Sequence, residues 1–344
     1  MVARSRRDAS ETDARALTLL DDLGLALPHR ASGGGVGQRH LQDVGDLPRA
    51  ARAGAVLELP ARLLERDVGG RRQRIEQGAG LALQLGGSEP AELAQCARLG
   101  EQWGYDEINL NCGCPSDRVQ RGAFGACLMN EPKTVADGVK AMLDVVDIPV
   151  TVKHRIGIDR IESYDFVRDF VGTVSDAGCQ VFIVHARNAW LQGLSPKQNR
   201  EVPPLRYELV WQLKHDFPHL TFAVNGGITT NEAIESHLTH VDGVMLGREA
   251  YYNPWLMHDW DSRYYGAPAR ALTREAVELA MVDYMERAAA EDGCPWYAIA
   301  RHMLGLRHGL RGSRYWRQIW SNHKLKPLPP REVWAMAQAH VEPL

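Results

Sequence analysis

The chain has 344 residues, 44% of them hydrophobic, and a formal net charge of −3 at pH 7. This length suits one large domain with a smaller one, and the near-neutral charge excludes a whole-protein basic field, so nucleic-acid binding would need a local patch. Six dispersed cysteines without zinc spacing are typical of free thiols in a reducing cytosol and predict no metal site. No apolar run approaches the roughly 20 residues of a membrane span, so we expect a cytoplasmic protein.

Residues 1–80 differ from the rest of the chain. They contain thirteen arginines and no Phe, Trp, Tyr, Lys, Asn or Cys. Because aromatic side chains supply much of a core's buried area, a long folded segment without one is unusual. We hypothesise that this stretch is a wrong-frame translation of a GC-rich gene that rejoins the correct frame near Leu81. The alternative is an Arg/Gly-rich extension.

From Leu81 onward, short apolar runs alternate with amphipathic helical stretches. The runs predict strands at 81–85, 107–110, 150–153, 181–185, 221–225 and 243–246. Between them we predict helices at 90–103, at 132–145 and around Phe166 to Val174. This alternation predicts an α/β fold with a parallel sheet. Both a barrel and an open doubly wound sheet satisfy it, although no GxGxxG follows a strand. Further helices are predicted at 271–291, 296–308 and 330–341.

Polar residues end each predicted strand, where an α/β enzyme keeps its site. They are Gln84, Asn111, Lys153, His185, Asn225 and Arg248. Lysine is rarely buried unpaired, so Lys153 suits an anionic cofactor ring or phosphate; the alternative is a lysine that has emerged into solvent. Taken alone, His185 is also compatible with a satisfied core histidine. Cys114 follows a strand in a Gly/Pro loop, where a thiol serves as an acid, a nucleophile or a ligand.

Glycine motifs end the last two predicted strands, Asn225-Gly226-Gly227 and Gly247-Arg248. Such glycines let backbone N–H groups approach a phosphate, and arginine adds a charge-assisted clamp. Barrels commonly bind phosphate after strands 7 and 8, so the motifs predict a phosphate site; the alternative is a pair of plain turns. Counting back makes 81–85 the third strand and puts strands 1 and 2 before residue 81.

Together these motifs resemble the tRNA-dihydrouridine synthases, most closely the A-type enzymes that act on positions 20 and 20a of the D-loop. The resemblance rests on Leu83–Gly87, Gly104–Asn111, Cys114–Gln120, Val152–Gly157, His185–Arg187, Leu194–Arg200, Asn225–Gly227 and Gly247–Ala250. It implies a TIM (β/α)8 barrel over 81–262 that holds FMN, a helical tRNA-binding domain over 263–344, and NADPH as reductant. The implied reaction reduces a uridine of tRNA to 5,6-dihydrouridine.

The resemblance also implies roles for individual residues. Cys114 is the acid that protonates C5 of the uracil, Asn111 lies near the substrate base, and Cys112 has no role beyond packing. The implied FMN ligands are Gln84, Lys153, His185, Asn225, Gly226, Gly227, Gly247 and Arg248. The implied tRNA contacts are Lys197, Arg200, Arg314 and Arg317.

The chain departs from the family at its start, where the strand ending in Ala-Pro-Met-Met and the next strand are unrecognisable. We therefore expect barrel strands 1 and 2 to be missing or aberrant. In the tail, basic residues that include Arg307 interleave with Tyr315, Trp316 and Trp320, a pattern that predicts phosphate contacts and base stacking; the alternative is a solvated helix with core aromatics. Two other functions stay open: a catalytically impaired tRNA-binding relic, and another FMN barrel oxidoreductase acting on a small molecule. No obligate protein partner is indicated.

Overall fold

The computed structural model describes residues 2–4, 80–116 and 124–339. Its strands form one sheet: β1 (Val2–Arg4), β2 (Ala82–Leu85), β3 (Glu107–Cys112), β4 (Val150–Arg155), β5 (Val181–His185), β6 (Thr221–Asn225) and β7 (Gly243–Met245). The order is β1-β7-β6-β5-β4-β3-β2. Strands β2 to β7 pair in parallel, and β1 pairs antiparallel with β7. The predicted α/β fold with a parallel sheet is confirmed.

The predicted strands agree closely with the observed ones, but β3 and β4 each continue two residues further. The prediction ended each strand at its first polar residues. The extra residues include Cys112, His154 and Arg155, all of which are buried, so the sheet continues where the hydrophobic pattern stops. This extension carries polar side chains into the interior of the molecule.

Helices follow the strands and cover the sheet. They are α1 (Pro90–Gln102), α2 (Pro132–Leu143), α3 (Tyr164–Asp176), α4 (Tyr207–Asp216), α5 (Asn231–Leu238), α6 (Arg248–Tyr252) and α7 (Trp260–Tyr264). Proline begins both α1 and α2, where its missing N–H costs no intrahelical bond. In α3 the predicted apolar stripe buries Val167, Phe170, Val171 and Val174. One hydrophobic core therefore fills the space between these helices and the sheet.

The C-terminal part has its own hydrophobic core. It is built from α8 (Arg274–Asp292), α9 (Trp296–Ala300), α10 (Ser313–Trp320) and α11 (Pro330–Gln338). The helix predicted over 296–308 is wrong beyond Ala300. Turns follow Ala300 instead and continue to Gly309, where φ is +77°. Helix α10 lies between the predicted helices, and it agrees with the alternative given for this segment, a helix with core aromatics.

Two predictions for the tail are also wrong. Trp316 and Trp320 are 0% and 2% exposed, so they pack in this second core and cannot stack on bases from the surface. Arg307 is 1% exposed and forms an ion pair with Glu278, so its charge is already compensated inside the protein.

The predicted loss or alteration of barrel strands 1 and 2 concerns residues outside the described ones, apart from β1. This three-residue strand was not predicted, because it is too short to show a periodic pattern. No helix in the described ranges is long and apolar enough to cross a membrane.

Candidate active site

The sheet register brings the predicted site residues to neighbouring positions. Asn111 pairs with Lys153, and Arg155 pairs with His185, which in turn pairs with Asn225. Because the carboxyl ends of parallel strands meet at one edge of the sheet, these side chains form a single polar site. Lys197 and Arg200 are exposed in the loop after β5, and Arg314 and Arg317 are exposed on α10.

An amide network joins β2, β3 and β4. Gln84 Nε2 donates to Asn109 Oδ1 at 2.7 Å, and Asn111 Nδ2 donates to Gln84 Oε1 at 3.2 Å. Behind them, the buried Asn109 donates through Nδ2 to Thr151 Oγ1 at 2.7 Å. These bonds fix the orientation of the Gln84 amide at the site.

The Cys114 loop is held by the end of β3. Asn111 Oδ1 accepts hydrogen bonds from the backbone N–H groups of Gly113 at 3.0 Å and Cys114 at 3.1 Å. The Cys114 carbonyl accepts from Ala126 N at 2.9 Å, and the thiol lies 3.4 Å from Ser116 Oγ. The half-buried thiol is thus fixed close to Asn111, whereas Cys112 is fully buried.

Lys153 carries a half-buried positive charge. Its Nζ donates to Asn225 Oδ1 at 3.1 Å, and Asn225 Nδ2 donates to the Met245 carbonyl at 2.8 Å. Burial of the ammonium, with a smaller contribution from the charge of Arg155, lowers the pKa of Lys153 to about 8. Among the described residues, no carboxylate lies within ion-pair distance of it. Within the described part of the chain, the site therefore contains a cation without a carboxylate partner.

Two glycines after β6 bring the backbone close to His185. Gly226 has φ +121°, and a Cβ there would lie 2.6 Å from His185 Cδ2; Gly227 has φ +68°, and a Cβ would lie 2.7 Å from Leu205 Cδ1. Tyr207 Oη donates to the Gly226 carbonyl at 2.5 Å. Burial, followed by the charges of Arg155 and other cations, lowers the pKa of His185 far below its ordinary range, so its imidazole is neutral.

The end of β7 differs from this arrangement. A Cβ at Gly247 would meet nothing within 4 Å, so the protein's own atoms do not require glycine there. Arg248 NH1 forms an ion pair with Glu201 Oε1 at 2.7 Å. The pair is about half exposed, so the guanidinium can be shared with an incoming anion.

Arg155 is a site residue that the sequence prediction missed. Its Nε donates to the Gly113 carbonyl at 3.1 Å, and its NH1 donates to the carbonyls of Asn188 at 3.1 Å and Asn199 at 2.9 Å. The guanidinium thus links the Cys114 loop to the segment that leads to Arg200. A signal was present, because alternate residues of a strand share one face and Arg155 stands two positions after Lys153.

Comparison with known proteins gives a consistent result. The family model "Dihydrouridine synthase (Dus)" matches residues 61–333, a range that includes the last part of the arginine-rich segment. The tRNA-dihydrouridine(20/20a) synthase of Shewanella oneidensis is 55% identical over 262 residues, which cover 76% of this chain and 78% of that protein. The enzymes of the same name from Pseudomonas aeruginosa and Escherichia coli K12 are each 58% identical, over 257 and 247 residues. The matches cover 75% and 72% of this chain and 77% and 71% of those two proteins.

The family match spans most of the chain, and the six parallel strands of the structure are those expected for strands 3 to 8 of a (β/α)8 barrel. The predicted TIM barrel class is thereby confirmed. The chain belongs to the dihydrouridine synthase family, whose members are flavin-dependent oxidoreductases.

Proposed function

We propose that this protein reduces uridine 20 or 20a of tRNA to 5,6-dihydrouridine in the cytoplasm, with FMN as cofactor and NADPH as reductant. The observation that carries the proposal is a pair of groups at one sheet edge. One is the Lys153 cation, which has no carboxylate partner among residues 80–116 and 124–339, and the other is the Cys114 thiol, which is held beside Asn111. A cation and an acid placed this way suit hydride transfer followed by protonation of a carbon atom.

The residues present fit FMN. Lys153 supplies the positive charge that an electron-rich flavin ring needs, and the Gln84 amide is already oriented for hydrogen bonding. The positive φ angles of Gly226 and Gly227 turn the backbone at the end of β6, and backbone N–H groups in such turns can bind a phosphate group. Gly247 and Arg248 would complete the phosphate contacts. His185 would pack as a neutral ring beside Gly226.

FMN held by these residues and reduced by NADPH would supply the hydride for C6 of the uracil. Cys114 Sγ donates its proton to C5, and the thiolate left behind takes a proton from solvent before the next turnover. Asn111 holds the Cys114 backbone through two hydrogen bonds and would orient the base. The Arg155 guanidinium is fixed on the carbonyl of Gly113, the residue before Cys114, and would hold the loop that carries the thiol.

The exposed side chains of Lys197, Arg200, Arg314 and Arg317 support tRNA as the substrate. Such side chains bind phosphates. The relic alternative predicts tRNA binding without flavin, and the small-molecule alternative predicts flavin without tRNA binding.

The experiment starts with purified protein mixed with FMN and desalted. We expect flavin absorbance in the visible range, and dihydrouridine in an unmodified tRNA transcript after addition of NADPH. Cys114→Ala should retain flavin and lose dihydrouridine formation, while Cys127→Ala, which removes another half-buried thiol, should retain both. Protein that stays colourless would support the relic, and a fully active Cys114→Ala variant would exclude Cys114 as the proton donor.

A further inference from the structure

Two neighbouring tyrosines on α6 are exposed beside the C-terminal helices α8 to α11, which we call the helical lobe. Tyr251 and Tyr252 are 42% and 60% exposed, and their rings meet edge to face at 5.3 Å. Neither residue is used by the chemistry described above. Their backbone is nevertheless closely packed, because a Cβ at Gly305 would lie only 2.4 Å from the Tyr252 carbonyl oxygen. The backbone of the two tyrosines thus packs directly against the turns that follow α9.

A hydrogen-bonded chain connects Tyr251 to a cation of that lobe. Arg301 Nε lies 2.9 Å from His302 Nε2, and His302 Nδ1 lies 2.9 Å from Tyr251 Oη. Arginine has no acceptor, so Arg301 donates and His302 Nε2 accepts. The imidazole proton must then be on Nδ1, and it is donated to the Tyr251 oxygen. Burial and the charge of Arg301 lower the pKa of His302, in agreement with this neutral tautomer.

These hydrogen bonds leave Tyr251 and Arg301 with donor groups that face outward. Because the Tyr251 oxygen accepts from His302, its own hydroxyl hydrogen is available to an acceptor outside the protein. Arg301 donates to the histidine through Nε, so the two terminal nitrogens of its guanidinium can donate to another acceptor. In the described residues, no carboxylate lies within ion-pair distance of Arg301. A hydroxyl donor and a cation beside an exposed aromatic ring suit a phosphodiester with an unpaired base.

The same surface continues from the predicted tRNA contacts. Arg248 and Tyr251 are three residues apart and therefore neighbours on one face of α6. Arg248 forms an ion pair with Glu201, the residue after Arg200. At the other end, the turns that begin with Arg301 lead into α10 with Arg314 and Arg317. Tyr251 and its hydrogen-bonded partner His302 thus lie between the loop that contains Arg200 and the helical lobe.

We propose that Tyr251, Tyr252, Arg301 and His302 form an additional RNA subsite that binds one phosphate and stacks one unpaired base of the tRNA. Tyr252 provides the stacking surface, Tyr251 and Arg301 bind the phosphate, and His302 orients the Tyr251 hydroxyl. The inference rests on the proposed function, because it takes tRNA as the substrate.

The test measures the affinity of FMN-loaded protein for an unmodified tRNA transcript and, in parallel, the kcat and KM of dihydrouridine formation. We expect Tyr252→Ala to weaken binding roughly five-fold or more, as loss of base–aromatic stacking does. Arg301→Gln should weaken binding and lower the salt slope by about one charge. In both variants KM should rise, with kcat and flavin content unchanged.

The matched control is Tyr284→Ala, which removes an exposed tyrosine of α8 next to Asp283 and should bind tRNA like the wild type. Tyr251→Phe keeps the ring and removes the hydroxyl, so it should reproduce part of the Arg301→Gln loss. Wild-type affinity and KM in Tyr252→Ala and Arg301→Gln would overturn the subsite. A wild-type protein that binds tRNA through these residues but forms no dihydrouridine would instead overturn the proposed reaction and leave the subsite standing.

Discussion

At the scale of single residues, Lys153 and Arg155 divide two tasks between them on one face of β4. Lys153 presents a charge to the site through its Nζ, with Asn225 as its neutral partner. Arg155 turns its charge toward backbone carbonyls of three segments. One residue is therefore suited to holding a ligand, and the other to holding the protein around it.

The charge of Lys153 should make the stability of the flavin-free protein depend on pH. Burial lowers its pKa from 10.5 in the unfolded chain to about 8 in the folded one. The unfolded state binds more protons at Lys153 in that interval, so the contribution of this residue to the free energy of unfolding should rise as the pH increases through it. Urea unfolding of the flavin-free protein should show this contribution as the difference in pH dependence between the wild type and Lys153→Met. Lys140→Met, at an exposed site, should keep the wild-type slope; parallel curves for all three proteins would contradict the prediction.

Replacement of Arg155 should affect catalysis more than cofactor binding. In Arg155→Lys a single ammonium cannot span the carbonyls of Gly113, Asn188 and Asn199, so the Cys114 loop should shift. Small displacements of a catalytic group cost up to about 100-fold, and we expect kcat to fall roughly 10- to 100-fold with flavin content maintained. Steady-state kinetics of Arg155→Lys are to be compared with those of Arg168→Lys, which changes an exposed arginine. An unchanged kcat would show that Arg155 does not position Cys114.

At the scale of elements, the ends of the strands hold the chemistry while the strands themselves form the core. The contrast is clearest in β4, where Lys153 and Arg155 face the site and His154 between them packs against Phe170 and Phe182. The loop after β6 is a tight strand end, because a Cβ at either of its two glycines would lie less than 3 Å from a neighbouring side chain.

Gly226→Ala should therefore damage the flavin site. The added methyl group would meet the His185 ring at a backbone angle of φ +121°, which costs about 1–3 kcal/mol of stability. We expect flavin affinity to fall at least about ten-fold, since that cost opposes the bound conformation. Fluorescence titration with FMN measures the effect. Gly172→Ala on α3, where a Cβ meets only Phe217 at 3.8 Å, serves as control, and equal affinities would refute the prediction.

At the scale of the whole molecule, two hydrophobic cores are joined by contacts between their surfaces. The Arg274 guanidinium lies 4.2 Å above the Trp255 ring, and Tyr251 meets His302. The second core is organised around a buried carboxylate. Glu278 accepts hydrogen bonds from Arg307, from Gln338 and, at 3.1 Å, from Trp334 Nε1.

Loss of the Glu278 charge should destabilise the helical lobe. In Glu278→Gln the buried Arg307 keeps its charge without a close carboxylate, and breaking a buried pair in this way costs about 3–5 kcal/mol. Glu275→Gln is the control, because that carboxylate is 44% exposed and 3.8 Å from Arg307, so its loss should cost less than about 1 kcal/mol. Chemical unfolding measures both. Similar midpoints for the two variants would contradict the assignment.

We propose, from the arginine-rich composition of residues 1–80, that this stretch is translated in the wrong reading frame. Sequencing the gene across codons 75–85 tests it. A frame change in that interval is expected, and an intact open frame would count against the hypothesis.

Much of this molecule could be predicted because its strands are short apolar runs that end in polar residues. Alternation along β4 could have placed Arg155 on the same face as Lys153, but it could not reveal the role of Arg155, whose acceptors at Gly113, Asn188 and Asn199 are 33 to 44 residues away in the chain. The local pattern also misjudged Trp316 and Trp320. Their spacing of four residues places both on one helical face, but only the packing of α10 determines that this face is buried and that Arg314 and Arg317 are exposed.

The Lys153 cation has a consequence for the amount of protein in a cell. A folded state that contains an uncompensated charge gains stability from any ligand that neutralises it, and ligand binding reduces the unfolded population by mass action. Unfolded molecules are continuously removed by proteases, so changes of 1–2 kcal/mol alter abundance several-fold. We therefore expect the steady-state level of this enzyme to follow the supply of flavin, with Lys153→Met partly insensitive to flavin starvation.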